Sequence, residues 1–102
     1  MTLYQTLLTI GLPVSYAFHI DADSPLEPPY LVYIGDGQDT FDADNTHYYR
    51  QNRYQIEFYF TQKNEEIEAE IEDALLDEGY LYEKSEDVYI EEENVFVIYY
   101  NI

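Results

Sequence analysis

The residues best equipped for chemistry lie in two short acidic runs. In the first, His19, Asp21 and Asp23 alternate along the chain. On an extended backbone they would project to one side, and an imidazole with two carboxylates is a donor set suited to a transition metal. The same residues also read as a strand end running into a polar loop ahead of Pro25. In the second run, Asp36, Asp39, Asp42 and Asp44 could offer hard oxygen donors to Ca²⁺. That run departs from the EF-hand loop, having neither the D-x-D-x-D-G order nor a closing Glu.

Other chemistries have little material. There is no Cys, and the two His and three Ser sit in no nucleophile motif. Carboxylates are so numerous that no single pair is informative, and a glycosidase needs a pair held across a sugar-sized cleft. The GDG at residues 35–37 is not a phosphate-binding loop. The expectation is a non-enzymatic protein with no cofactor and no bound metal.

The charge narrows the partners. Against 22 acidic residues stand 4 basic ones, a formal charge of -18 in 102 residues. Such a chain cannot neutralise phosphates, so neither direct nucleic-acid binding nor attachment to an anionic membrane is expected. Cationic partners remain open. With 46% apolar and 18% aromatic residues the chain lies far from the composition of a disordered acidic tail. Without Cys there is no disulfide framework. No apolar run is long enough for a membrane span, and MTLYQTLLTIG lacks the flanks of a signal peptide. A cytoplasmic product is expected.

The elements that would position these residues follow from periodicity. Thr2 and Gln5 form a capping box for a short helix with Leu3, Leu7, Leu8 and Ile10 on its apolar face, stopped by Gly11 and Pro13. Residues 14–20 predict a strand, and the proline-bearing DADSPLEPP a loop. Tyr30 to Ile34 is apolar at every position, as in a central strand. Residues 35–46, rich in Asp and Gly with Phe41 as a lone aromatic, predict a long loop. From Tyr48 to Gln62 the period returns to two, with Tyr54, Ile56, Phe58 and Phe60 on one face.

Residues 64–79, NEEIEAEIEDALLDEG, predict a helix with Ile67, Ile71, Ala74 and Leu75 as its stripe and Gly79 as its cap. Its other faces are carboxylate: Glu66 and Glu70, Glu68 and Glu72, and Asp73 and Asp77 stand four apart. These like-charge pairs cost roughly 1–2 kcal/mol together. A closing hairpin is expected from residues 80–90 and 94–101 around EEEN. The prediction is one α+β domain over residues 1–102, an antiparallel sheet of about five strands with two helices packed on one face, in the order α-β-β-β-α-β-β. Both faces of the last strand are apolar, which fits either cross-strand aromatic pairs or a protein interface.

The runs LPVSYAF, PPYLVY, IEFYFTQKNEEIEAEIEDALLDEG and YLYEKSEDVYIEEENVFVIYYNI, covering nearly the whole chain, resemble the small tail-completion proteins of long-tailed phages and prophages of Gram-positive bacteria. Those proteins are of the tail terminator or tail-to-head joining type. The markers are patterns of apolar, Tyr and acidic residues rather than a chemical motif. The resemblance implies a ring-forming structural protein of the virion, usually a hexamer, at the junction of tail and head. Its implied partners are copies of itself, the tail tube protein, and a head-completion or connector protein. Pro28, Pro29 and Tyr30 match the family's local signature, while the stretch bearing Asp36, Asp39, Phe41, Asp42 and Asp44 would be a natural contact element. An acidic conduit would not grip the DNA it conducts. The competing expectation is an acidic DNA mimic that inhibits a host nuclease, restriction enzyme or repressor.

Overall fold

In the computed structural model, residues 2–17, 27–43 and 47–102 are described, with side chains described outside 41–49. Helix α1 (Leu3–Leu8) is followed by strands β1 (Val14–Tyr16), β2 (Tyr30–Ala43) and β3 (His47–Phe60). Helix α2 (Glu65–Asp77) and strands β4 (Glu83–Lys84), β5 (Val88–Ile90) and β6 (Val95–Asn101) complete the chain. The fold is α+β, with six strands in one sheet ordered β1-β2-β3-β6-β4, and β5 also paired to β6.

The expected all-antiparallel sheet needs one correction, because β1 runs parallel to β2, with Val14 beside Leu31 and Tyr16 beside Tyr33. The strand expected over residues 14–20 stops at Tyr16, as Ala17 takes a φ of 68°. The closing hairpin is as expected, except that its first strand is split. Ser85 interrupts it, its hydroxyl accepting the Tyr99 N–H at 2.9 Å between β4 and β5.

Apolar stripes explain the packing. Leu31 on β2, Ile56 and Phe58 on β3, and Ile98 and Tyr100 on β6 share one face, against which both helices bury Leu3, Leu7, Ile71 and Leu75. The opposite face buries Tyr30, Val32, Tyr59, Val95 and Val97. There Tyr30 and Tyr59 are cross-strand partners stacked at 4.8 Å, so the second apolar face of β6 joins an aromatic-lined cluster of the chain's own.

Capping fixes both helices. Thr2 and Gln5 form the expected box. Asn64 accepts from the N–H groups of Glu66 and Ile67, and Gly79, at φ 84°, closes α2 as Tyr80 N–H reaches the Leu75 carbonyl at 2.9 Å. The acidic surplus of α2 is partly put to use. Glu65, Glu66 and Glu68 sit in its first turn, where the helix dipole favours negative charge. Glu68 and Glu72 turn inward to two lysines. Among the described residues, no helix is long and apolar enough to cross a membrane.

Candidate assembly surface

The stretch expected as a loop is a β-arm. Gln38 to Ala43 pair with Asn52 to His47 in strict register, six residue pairs spanning roughly 20 Å. The sequence signal failed for a physical reason: the described side chains of the arm do not pack into the core, so no apolar alternation is required of them. None of the described side chains from Gly35 to Arg53 is buried. The radius of gyration, 15.1 Å, exceeds the roughly 13 Å of a compact chain this long, and the longest dimension is 51 Å against 29 and 24 Å.

A bulge marks the root of the arm. Gly35 pairs with Tyr54 and Gln38 with Asn52, so Asp36 and Gly37 together oppose Arg53 alone. Gly37 adopts a φ of 86°, which a side chain would disfavour. Arg53 donates to Asp39 at 2.9 Å, and Gln38 to Asn52 at 2.7 Å, tying the two strands side chain to side chain.

Beside the root lies a tyrosine cluster that periodicity did not single out. The Tyr33 ring has Tyr16 at 4.9 Å, Tyr54 at 6.2 Å and Tyr4 at 6.3 Å between centroids. Burial among these phenols pushes the Tyr33 hydroxyl up from its ordinary pKa. Tyr16 is 52% exposed and Tyr4 is also exposed. The Tyr16 hydroxyl accepts the Gly35 N–H at 3.2 Å, and a Cβ at Gly35 would stand only 3.3 Å from it. The glycine therefore permits the contact that joins β1 to the arm's root.

The residues expected at an interface are spread along β2, with Pro28, Pro29 and Tyr30 at its start and Asp36, Asp39, Phe41 and Asp42 in its far half. Pro28 and Pro29, joined by a cis peptide bond, border a recess of about 290 Å³ with Phe58, Phe60, Lys63 and Ile67. Tyr30 is buried, and burial with Glu93 and Glu57 nearby raises its phenol to about 12. Asp36 and Asp39 stand on the arm. Phe41 and Asp42 pair through the backbone with Tyr49 and Tyr48 near its tip. Asp44 falls outside the described residues, as do His19, Asp21 and Asp23. An extended strand cannot wrap a cation as a Ca²⁺ loop does, and Asp39 is engaged by Arg53. Among the described residues no group of three His, Asp or Glu could hold a metal.

The other concentration of charge is a clamp on α2. Glu68, 3% exposed, has Lys84 Nζ 2.9 Å from one oxygen and Lys63 Nζ 2.8 Å from the other. The second contact is a close ion pair outside hydrogen-bond alignment. Lys63 also donates to Asp87 at 3.0 Å. Glu72 accepts from Lys84 at 2.8 Å, Tyr100 at 2.9 Å and Tyr82 at 3.1 Å. Burial opposes the charge on Glu72, but these donors outweigh it and hold the carboxyl below its ordinary range. Acids and bases here are engaged with one another, so the cluster fastens α2 to the sheet edge.

Comparison with protein-family models, with curated proteins and with solved structures returned no match.

Proposed function

We propose that this protein is a non-enzymatic assembly subunit of the phage head–tail junction, of the tail terminator or tail-to-head joining type, acting as a ring of identical copies. The observation that carries the reading is the arm. The described side chains of this two-stranded ribbon, none of them buried, add nothing to the chain's own core. Isolated ribbons of this kind are only marginally stable in water, so one fixed against a neighbour gains what it lacks alone. The exposed tyrosines at its root supply rigid apolar area with a polar tip, a composition suited to protein contact.

The resemblance of the sequence to tail-completion proteins supplies the setting. In that setting the ring, a hexamer in most of the family, would meet the tail tube protein on one side and a head-completion or connector protein on the other. The net charge of -18 suits a conduit that must not hold the phosphate backbone passing through it. Electron micrographs of phage assembled without this protein test the reading. Filled heads beside unattached or overlong tails support it, and normally joined, infectious particles overturn it. Tight, salt-sensitive capture of a cationic host nuclease would instead favour the DNA-mimic function.

A further inference from the structure

The edges of the sheet differ in what they offer another strand. On one side of the body, β1 contributes three described residues, Val14–Tyr16, and is followed by Ala17 at a left-handed φ of 68°. On the other, β4 and β5 are two and three residues long and are interrupted where the Ser85 hydroxyl replaces a backbone acceptor. Short, broken edges resist strand addition. The arm is the opposite case. Among the described residues, Gln38–Ala43 and His47–Asn52 pair only with each other, which leaves each strand an outer edge of unused N–H and C=O groups.

Those two edges carry opposite charge. From Asp36 to Ala43, β2 bears Asp36, Asp39 and Asp42 and no basic residue. From His47 to Ile56, β3 bears Arg50 and Arg53 and no acidic residue. Half of the chain's 4 basic residues thus stand on one strand of a protein with 22 acids. Three of the four are engaged: Lys63 and Lys84 in the α2 clamp and Arg53 with Asp39. Arg50 is exposed and, among the described residues, has no carboxylate within ion-pair distance.

We infer that the arm docks edge to edge on the arm of a second copy, the Arg50-bearing edge of one forming an antiparallel ladder with the Asp36–Asp42 edge of the next. Hairpins set side by side in one orientation bring β3 against the neighbour's β2 in opposite directions, the geometry an antiparallel ladder needs. Backbone hydrogen bonds supply the contact and charge selects the edges. Pairing β2 with β2 would set three aspartates against three, and pairing β3 with β3 would set arginines together; only the mixed pairing joins opposite signs. Each arm then has one edge of each kind, so the contact is head-to-tail and repeats until it closes as a ring. This rests on the self-assembly proposed above and names the surface that performs it.

Complementary charge variants test the inference. Arg50→Glu with Arg53→Glu makes both edges acidic, and Asp36→Lys with Asp39→Lys and Thr40→Lys makes both net basic; none of the five positions is buried, so unfolding midpoints should stay near the wild type's. Sedimentation velocity should show each variant alone associating at least tenfold more weakly than wild type, and an equimolar mixture regaining assembly. If each variant assembles as the wild type does, or the mixture stays dissociated, arm-edge pairing is overturned while the assembly reading stands. A wild-type chain that remains monomeric at every concentration overturns both.

Discussion

Replacing both Lys63 and Lys84 by Met would leave Glu68 nearly sealed from water with its two counter-charges gone. Orphaning one member of a buried pair costs about 3–5 kcal/mol. The lysine side chains are 44% and 34% exposed, so their attraction is partly screened and the lower end, about 3 kcal/mol, is expected. Glu68→Gln should cost less, about 1–2 kcal/mol, because the freed ammonium groups can turn to solvent and the amide oxygen still accepts. The triple variant is the discriminating one. With no charge left to bury, it should recover part of what the double-lysine variant loses, a non-additivity expected within one network. In a domain of this size 1 kcal/mol moves the melting midpoint by about 4–8 °C, so the double-lysine variant should melt on the order of 10–20 °C lower. Calorimetry or circular dichroism at neutral pH reads all three. If removing both lysines costs no more than Glu68→Gln, or the triple variant is no better than the double, Glu68 is not held by these ion pairs.

Three further outcomes follow from single features. Gly79→Ala meets no atom within 4 Å, so its cost is the left-handed backbone at φ 84° alone, about 1 kcal/mol in a urea titration. Glu72 has a folded-state pKa below the ordinary 4.5, so its stabilisation is complete above that value and is lost as pH falls through the depressed one. Urea midpoints of wild type and Glu72→Gln should therefore converge on acidification and stand furthest apart at neutral pH. Duplex DNA should not be retained by the protein at physiological salt, and retention in a filter assay would contradict the charge argument.

The elements with a buried face were legible in the sequence. The stripes of Leu3 and Leu7, of Ile71 and Leu75, and of Ile56, Phe58 and Phe60 each carry the period of the element that buries them. The arm was not, because its β2 residues with described side chains, 36–40, face no core and their Asp and Gly residues carry turn chemistry into a strand that solvent tolerates. Parallel pairing of β1 with β2 leaves no mark in periodicity, which reports faces and not neighbours. The inward turn of Glu68 and Glu72 was hidden among like residues; their partners Lys63 and Lys84 lie 21 positions apart in sequence and meet only after β4 folds back against β6. One signal at the arm is carried by the sequence itself: His47 to Ile56 is free of acid in a chain where acids are everywhere.

Self-assembly through the arm is tested most directly by sedimentation velocity on wild type and on a variant with residues 36–53 replaced by Asn-Gly, a two-residue turn suited to joining Gly35 to Tyr54. None of the described side chains from Gly35 to Arg53 is buried, so the shortened protein should unfold at nearly the wild-type midpoint. The wild type should pass with rising concentration into a closed oligomer of defined size, and the armless protein should remain a monomer throughout. An armless protein that assembles as the wild type does would contradict the account.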